Sequence, residues 1–577
     1  MLKGCLEVFQ KKYSEKGEKL IIDSCVLSTG SYVLVDEDGE IIEILEINKK
    51  SSDRTSRYYD FAKMDYLSKL LDMNKPIDPN KIIHSNNYLS FFVKKENINE
   101  FKLTEAIIDN YYEILKNPRI KYKDSKDNEK RKMYELIEDK YGISDYRLID
   151  KQKAWIKNNI FLIINKVSKG KGYLKIFLKC DIEQYKKESE KYVIPNIYNN
   201  TKLNVEIDNI TYGLPNDNMG LNSKKPFLEN RSRKNSLNYI ISIDEVILQK
   251  KFFDYLYNNA CRGKTNIYIG NGDIMCLSNE EHLFDKFSGY FLRIIKAKEI
   301  EIHDFDTIVG FNHSITGLVV NKVIPIDYKK FKGSLNEIYG EIKEINNLEM
   351  LINNLYFSEF LSNNYFSNYK DIRLNDFIIK ENLIRSRGAF FNWFYKGDIT
   401  IIKQIFDKTS MEIIKNAICN SYFVKAKEQF NLRCGILDYF IGGDKMADIL
   451  CKIVSSLREK INSIQTGKLE SDNEYYFAVG QISSYLLSLN KSSKSMHSLI
   501  NPLLNCKVDE KLKSQLEILF KKYNYVINKE SKRFNNLSAM VLGYEAESQV
   551  NDNILVAGYL YSNLIYERYD EGVKNAK

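Results

Sequence analysis

The first 325 residues contain both short apolar–polar alternations and stretches with helical spacing. The segment SYVLVDEDGEIIEILEI, Ser31 to Ile47, alternates around an acidic Asp-Gly turn and predicts a β-hairpin. The same pattern recurs at Asn204 to Gly213 and at Thr265 to Leu277, and Tyr173 to Cys180 has the composition of a central strand. Leu103 to Asn117 has helical spacing. This part is therefore predicted to be mixed α+β.

The pattern becomes helical from about residue 345. Three later segments repeat apolar positions every 3.6 residues, with charges on the opposite face, and short breaks separate them. The predicted fold class is α+β: an N-terminal region with antiparallel strand hairpins, followed by a C-terminal antiparallel α-helical bundle. The expected domains are residues 1–345 with a further division near 200, a helical connection at 346–445, and a bundle at 446–577.

Composition supports a folded chain with a preference for anions. Of 577 residues, 44% are hydrophobic and 28% are charged, which is the balance of a globular protein. The net charge of +9 favours a polyanionic partner. Lys, Asn, Ile and Tyr are all abundant, as in proteins encoded by A/T-rich genes, so local clusters of cations carry more information than the total.

The nine cysteines are widely scattered and never fall in a C-x-x-C spacing, so neither a zinc site nor a redox pair is expected. The N-terminal residues have no apolar segment of signal-peptide length, and no run approaches the length of a membrane span. We expect a cytoplasmic protein with reduced thiols, without a metal or another cofactor.

The sequence contains no convincing active site. His303-Asp304 is an isolated pair, and metal phosphohydrolases need further His and Asp ligands. The Gly-rich stretch Ile269 to Asp273 lacks the ending of a phosphate loop and is predicted to be a turn. We predict that the chain is not an enzyme. A metal-dependent nuclease or phosphodiesterase that uses the region of His303 remains one alternative, and a standalone binder of single-stranded nucleic acid, which would need no partner subunits, is another.

A basic, irregular stretch offers better grounds for binding. GLPNDNMGLNSKKPFLENRSRKN, Gly213 to Asn235, fits neither helix nor strand. It holds five cations against two acids: Lys224, Lys225, Arg231, Arg233 and Lys234 against Asp217 and Glu229. The cations can neutralise phosphates, and the asparagines and backbone amides can hydrogen-bond to phosphates or base edges. The alternative is a solvated surface loop.

Several stretches together resemble the large subunit of the type I-B CRISPR effector complex, Cascade, in its clostridial form. Three of them lie in the first half of the chain: Tyr58 to Lys95, IPNIYN at Ile194 to Asn199, and Tyr212 to Lys234. Two more, Tyr475 to Lys507 and Lys532 to Glu545, are similar to the terminal helical region of that family. Some relatives carry a cysteine zinc knuckle, which this sequence lacks.

The resemblance implies a non-catalytic role in RNA-guided DNA binding. In such complexes base pairing with the guide RNA reads the target, and the large subunit reads a short flanking motif, the PAM. The subunit then helps to open the duplex, and after the R-loop forms it admits a separate helicase-nuclease. The implied partners are the guide RNA, target double-stranded DNA, the backbone and handle-binding subunits, the small subunit and the helicase-nuclease.

On this resemblance the basic stretch would lie against the flanking duplex or the guide handle. Asn216 and Asn218 are the candidates for base-edge contacts, and the five cations are the candidates for phosphate contacts. A second candidate is the segment His84 to Asn87, including Asn86 and Asn87, together with Lys94 and Lys95. For this second group a buried strand at LSFFV is the competing interpretation.

The C-terminal bundle resembles the small Cascade subunit, which lines the path of the displaced strand. Its cations could form a positive track for that strand, or only the solvated faces of helices: Lys491, Lys494, Lys507, Lys521, Lys522, Lys529, Lys532 and Arg533. In this family separate small subunits arise by internal translation. Gly442-Gly443 can encode a purine-rich ribosome-binding sequence upstream of Met446, so a second product, residues 446–577, is predicted to start there.

Overall fold

The computed structural model describes most of the chain. The described residues are all those of 1–577 except a set of short segments and two longer ones: 49–53, 123–127, 200, 202–203, 217–239, 284–285, 298–299, 327–338, 443–445, 465–466, 491–496 and 568–577.

The chain divides into two compact units. The first comprises Met1–Glu280 and Ser288–Thr307, and the second comprises Glu281–Phe287 and Ile308–Lys577. The residue at which the sequence predicted the end of the α+β region, 345, lies inside the second unit.

The strands are β1 Gly30–Val35, β2 Ile41–Ile47, β3 Ser90–Lys94, β4 Tyr173–Leu178, β5 Val205–Ile207, β6 Ile210–Gly213, β7 Ile241–Ser242, β8 Asn266–Gly270, β9 Asp273–Leu277, β10 Phe287–Lys296, β11 Ile300–Phe311, β12 Val319–Val320 and β13 Gly340–Glu341.

The helices of the first unit are α1 Leu2–Lys16, α2 Lys19–Ile22, α3 Ser56–Ser68, α4 Lys95–Asn99, α5 Glu105–Lys116, α6 Asn128–Tyr141, α7 Tyr146–Ile163, α8 Ile182–Asn196 and α9 Ile243–Cys261. Those of the second unit are α10 Ile345–Phe357, α11 Phe377–Phe391, α12 Thr400–Cys419, α13 Phe423–Ile441, α14 Met446–Asn462, α15 Asp472–Ser488, α16 Asn501–Leu504, α17 Asp509–Tyr523, α18 Lys532–Leu542 and α19 Asp552–Leu560. A π-helical turn at Asn392–Lys396 follows α11, and short 3-10 segments lie at Pro118–Ile120, Tyr369–Asp371, His497–Ile500 and Leu564–Tyr566.

The main sheet of the first unit has the strand order β2-β1-β4-β3. Its central strand β4 is almost wholly buried, because its apolar residues pack on both faces of the sheet. The predicted central strand and the predicted hairpin of β1 and β2 are both confirmed. One pairing differs from the predicted antiparallel pattern: β1 and β4 are parallel, since the long connection through α3 to α7 allows a crossover.

A second sheet has the order β11-β10-β8-β9, and β5, β6 and β7 form a small third sheet. The predicted hairpins at β5–β6 and β8–β9 are both present and antiparallel. Their turns use residues with positive φ, Asp208 and Asn209 in one, Asn271 and Gly272 in the other. This pair of positive φ angles matches the twist of the flanking strands, so Ile269 to Asp273 forms the predicted turn.

The second unit is mainly helical, as the 3.6-residue pattern predicted. Its closest helix packing joins α15 and α19, where two glycines remove the side chains. A Cβ on Gly480 would lie 2.4 Å from the carbonyl oxygen of Leu555, and one on Gly558 would lie 2.2 Å from that of Phe477. Only glycine allows these backbones to approach so closely.

The α+β fold class is confirmed, with antiparallel hairpins toward the N-terminus and many helices in the C-terminal half. Within the described residues, none of the helices combines the length and the apolar character needed to cross a bilayer.

Candidate nucleic-acid interface

The basic stretch is framed by a well-packed base in the first unit. Of its candidate residues, Asn218, Lys224, Lys225, Arg231, Arg233 and Lys234 lie outside the described residues. Residues 217–239, which we call the basic loop after the sequence prediction, lie outside the described residues, and the contacts below hold the described residues on either side of them. Asn216 immediately precedes the basic loop, half-buried, and its backbone N–H donates to the carbonyl oxygen of Ile197 at 2.8 Å.

Tyr198 fixes the two ends relative to each other. Its hydroxyl lies 2.7 Å from the carbonyl oxygen of Thr211, before the basic loop, and 3.0 Å from that of Ile241, after it. The Asn199 N–H donates to Leu214 O at 2.8 Å, which adds a backbone pairing beside the ring. Tyr198 is fully buried, and burial raises the pKa of its hydroxyl, so this group remains a neutral donor.

Gly213 is required by the same contact. A Cβ at this position would lie 2.6 Å from the Tyr198 ring and 2.4 Å from the side-chain oxygen of Asn204. The aromatic ring occupies the place that a side chain would need. The glycine therefore serves packing at the base of the basic loop.

Lys75 secures the other side of the base. Its Nζ donates to the carbonyl oxygens of Asn196 and Tyr198, each at 2.7 Å. Burial, with the nearby charge of Lys130, lowers the pKa of Lys75 to about 7. Because the hydrogens of Lys75 Nζ are used in bonds within the protein, and because the group is half neutral near pH 7, it contributes little to an anion-binding surface.

The segment with Asn86 and Asn87 is also structural in its contacts. Both side chains are buried, with 2% and 1% exposure. The Asn86 amide donates to Leu67 O at 3.0 Å, and the Asn87 amide oxygen accepts from the backbone N–H of Leu89 at 3.0 Å. Neither side chain reaches the surface, and the LSFFV stretch forms the buried strand β3.

Lys94 and Lys95, although adjacent, differ in environment. Lys95 is buried, and its Nζ donates to the carbonyl oxygen of Ser168 at 2.8 Å. Its backbone N–H donates to Gly172 O at 3.0 Å, and burial lowers the pKa of its ammonium group. Lys95 therefore holds the loop Ser168 to Gly172. Lys94 keeps 44% of its side chain exposed and faces Glu96 at 3.5 Å.

The loop Ser168 to Gly172, SKGKG, carries two lysines that are not among the candidates predicted from the sequence. Lys169 and Lys171 are exposed and make no ion pair with any described residue. Gly172 has φ 136°, and a Cβ there would lie 2.6 Å from Thr29 O. Because both ends of the loop are anchored, the two ammonium groups are presented toward solvent from a defined backbone.

Tyr173 connects this loop with a further lysine. It pairs with Lys94 across β3 and β4, and its hydroxyl lies 2.9 Å from Nδ1 of His84. Since Nε2 of His84 lies 2.8 Å from the carbonyl oxygen of Lys81, Nε2 carries the proton and Nδ1 accepts from Tyr173. Lys81 is exposed, with φ 58°. We call Lys81, Lys94, Lys169 and Lys171 the lysine cluster.

Asp78 determines the backbone of Lys81. It is fully buried and accepts three backbone N–H groups, those of Asn80 at 2.9 Å, Ile82 at 2.8 Å and Ile83 at 3.1 Å. A carboxylate that caps a turn in this way stabilises its unusual conformation. In the DPNKII motif, Asp78 precedes by a few residues the backbone amides whose hydrogen bonds it accepts. This spacing could have identified Lys81 as an exposed residue.

The predicted displaced-strand track divides into exposed and bonded members. Lys491 and Lys494 lie outside the described residues. Lys521, Lys522, Lys529 and Lys532 are exposed where α17 ends and α18 begins. Lys507 lies just before the N-terminus of α17, about 22 Å away along the helix from the lysines at its other end. It pairs with Asp552 at 2.5 Å. Arg533 bonds to Asn462 Oδ1 at 2.7 Å and to Glu567 O, so it stabilises the fold.

The region of His303 has a simple geometry. His303 lies on β11, and its Nε2 is 3.1 Å from a carboxylate oxygen of Glu301 on the same strand. Over the described ranges, no three His, Cys, Asp or Glu side chains come together in a group that could hold a metal ion.

Comparison with known proteins adds no relative: no family model, no curated protein and no solved structure matches the chain.

Proposed function

We propose that the chain is the non-catalytic large subunit of a type I-B CRISPR RNA-guided surveillance complex, acting in antiviral defence in the cytoplasm. It would recognise the PAM on target double-stranded DNA, help to unwind the duplex and form the R-loop, and admit a helicase-nuclease. The guide RNA reads the target by base pairing, so the protein needs surfaces for a flanking duplex and for backbone phosphates.

One observation carries this proposal. Three stretches that bear the resemblance, far apart in sequence, meet at the base of the basic loop. Lys75 from the first stretch donates to the carbonyls of Asn196 and Tyr198 from the second. Asn199 of the second stretch bonds to Leu214 of the third. The stretches that carry the resemblance thus pack together at one place, in the described residues that flank the basic loop.

The lysine cluster supports a polyanionic ligand in the same unit. Lys169 and Lys171 have no acidic partner among the described residues, so their charge is available to phosphates. The basic loop would add contacts to the flanking motif, with Asn216 and Asn218 as the base readers.

The helical second unit supports the proposed relation to the small subunit. Helix α14 spans Met446–Asn462 in the described part of the chain, so a product that starts at Met446 would contain all of these residues. At the junction of α17 and α18, the exposed lysines Lys522, Lys529 and Lys532 are available to a displaced strand, whereas Lys521 pairs with Glu517. The assembly would further contain the guide RNA and the backbone and handle-binding subunits, with the helicase-nuclease recruited after R-loop formation.

The proposal is tested by the RNA that co-purifies with the tagged chain from its host. We expect RNAs of one narrow length class that share a constant, repeat-derived segment and differ in a second segment. Absence of RNA would contradict the proposal. Metal-dependent cleavage of DNA by the isolated chain, abolished by His303→Ala, would instead support the nuclease alternative.

A further inference from the structure

A short segment of the second unit exposes two aromatic rings eight residues apart in sequence, one before α11 and one at its first residue. Tyr369 lies in the 3-10 segment before α11 and is 47% exposed, and Phe377, the first residue of α11, is 64% exposed. Aromatic rings with this exposure leave part of their faces available for contact with a ligand.

Lys380 contacts the Tyr369 ring and lies on the same helix as Phe377. Its Nζ lies 4.2 Å from the centroid of the Tyr369 ring and donates to the carbonyl oxygen of Ile372 at 2.9 Å. Phe377 is three residues before Lys380 on α11, so both lie on the same face of the helix. The ammonium group lies over the Tyr369 ring, and the residue nevertheless keeps 47% of its surface exposed.

Both ring positions are held by the fold. A guanidinium nitrogen of Arg387 donates to Asn364 O at 2.7 Å and to Ser367 O at 2.6 Å, which fixes the chain before Tyr369. Asp376 caps α11 by accepting from the Ile379 N–H at 3.0 Å, directly beside Phe377. Rings on a preorganised backbone lose little conformational entropy when a ligand binds.

Cations flank the rings without being neutralised. Lys370 and Arg373 are exposed and make no ion pair with any residue that the structure describes. Asp371 lies between them in sequence, and no ion pair joins it to either. Two aromatic faces beside two available cations are what single-stranded nucleic acids bind to, since unpaired bases stack on the rings and phosphates meet the cations.

We propose that Tyr369, Lys370, Arg373 and Phe377 form a stacking platform for single-stranded nucleic acid. A base stacks on Tyr369 and another on Phe377, and Lys370 and Arg373 contact the phosphates beside them. Duplexes bind poorly here, because their base faces are already stacked. The platform goes beyond the proposed function and does not rest on it: it lies in the other unit from the lysine cluster and needs no guide RNA.

The test is fluorescence anisotropy of the full-length chain with labelled dT and rU oligonucleotides of about 15 nucleotides. Tyr369→Ala and Phe377→Ala are each expected to weaken binding to the preferred strand by about 5-fold or more. Tyr146→Ala is the matched control, because Tyr146 is 48% exposed but lies in the first unit. The strand that binds more tightly, dT or rU, identifies the source of the ligand.

Two further variants distinguish stacking from apolar contact. Phe377→Trp is expected to retain binding, and Phe377→Leu to lose it by the same factor as Phe377→Ala, since leucine has no ring face. Lys370→Ala and Arg373→Ala are each expected to lower the slope of log affinity against log salt by about 0.7, the value per phosphate for single strands. Lys452→Ala, an exposed lysine without an ion pair in the described residues, is the control.

Three results would overturn the platform. The first is that Tyr369→Ala and Phe377→Ala bind the oligonucleotides as tightly as wild type. The second is that the control Tyr146→Ala loses as much affinity as these two variants. The third is a loss of duplex affinity in the Tyr369→Ala and Phe377→Ala variants equal to their loss of single-strand affinity. Loss of a co-purifying protein, with oligonucleotide affinity unchanged, would identify a protein-docking surface instead. Failure of the proposed function is seen separately, in the absence of co-purifying RNA.

Discussion

The base of the basic loop and the junction of α17 with α18 use lysine in opposite ways. In the first unit Lys75 and Lys95 are withdrawn from the surface, and their ammonium groups donate to backbone carbonyls. At the junction Lys521 and Lys522 lie on the surface, and Lys521 faces Glu517 at 2.8 Å. Replacing the first kind should destabilise the fold strongly, and replacing the second kind should change stability by about 0.5 kcal/mol or less. Positive charge in the sequence therefore does not by itself locate an anion site.

The largest expected effect is at the base of the basic loop. Tyr198→Ala removes a fully buried ring and the hydroxyl between Thr211 and Ile241. We expect the free energy of unfolding of the first unit to fall by about 3–5 kcal/mol. Native-state hydrogen exchange on the amides of α8 and β6 measures this loss locally.

Its control is Tyr525→Ala, since Tyr525 is 84% exposed in the second unit. That variant should stay within about 0.5 kcal/mol of wild type. A loss below about 1 kcal/mol for Tyr198→Ala would mean that the two ends of the basic loop are held by other contacts.

The next effect concerns the basic loop. Asn218→Ala is expected to weaken discrimination between cognate and scrambled flanking motifs by about 1–3 kcal/mol, because a base-edge contact is lost. Lys224→Ala should weaken binding to all sequences alike and flatten the salt dependence. Binding of the assembled complex to paired duplexes measures both. Equal losses on the two motifs for Asn218→Ala would remove that residue from base reading.

The third effect is a pH dependence that comes from Lys75. Its pKa of about 7 in the folded chain lies below the ordinary 10.5, so between these values the unfolded chain binds a proton that the folded chain does not. Stability from this group therefore rises with pH, by at most about 1.4 kcal/mol per pH unit around pH 8–9.5, and is lost as pH falls toward 7. The free energies of unfolding of wild type and Lys75→Met, measured with denaturant across this pH range, should diverge with this slope. Parallel curves would show that the lysine stays charged.

The smallest effects separate exposed lysines by their surroundings. Lys171→Ala should leave stability within about 0.5 kcal/mol and reduce the salt slope of duplex binding by about 0.9, since one phosphate contact is lost. Lys521→Ala removes an i, i+4 pair worth about 0.3–0.5 kcal/mol and should leave duplex binding unchanged. If Lys171→Ala and Lys521→Ala alter duplex binding equally, the two regions do not differ in their contribution to duplex binding.

Much of the fold could be predicted from periodicity. The hairpins at β1–β2, β5–β6 and β8–β9 followed from alternation and turn residues, and the helices after residue 345 followed from 3.6-residue spacing. The parallel pairing of β1 with β4 did not follow, because it is decided by a crossover of more than a hundred residues rather than by local pattern.

The candidate site was less predictable than the fold. Asn86, Asn87 and Lys95 have the side chains of a nucleic-acid site, yet their donors are used inside the first unit. Lys169 and Lys171 looked like ordinary lysines, and only the anchoring by Lys95 distinguishes them. Burial and long-range hydrogen bonds separate these groups, and a single sequence does not encode them in any local pattern.

The most direct test is a native mass spectrum of material purified from the host through a C-terminal tag on this chain. The proposed function predicts a large assembly that contains RNA, repeated backbone subunits, one full-length chain and copies of a shorter species that begins at Met446. A full-length chain that appears alone and free of RNA would contradict it.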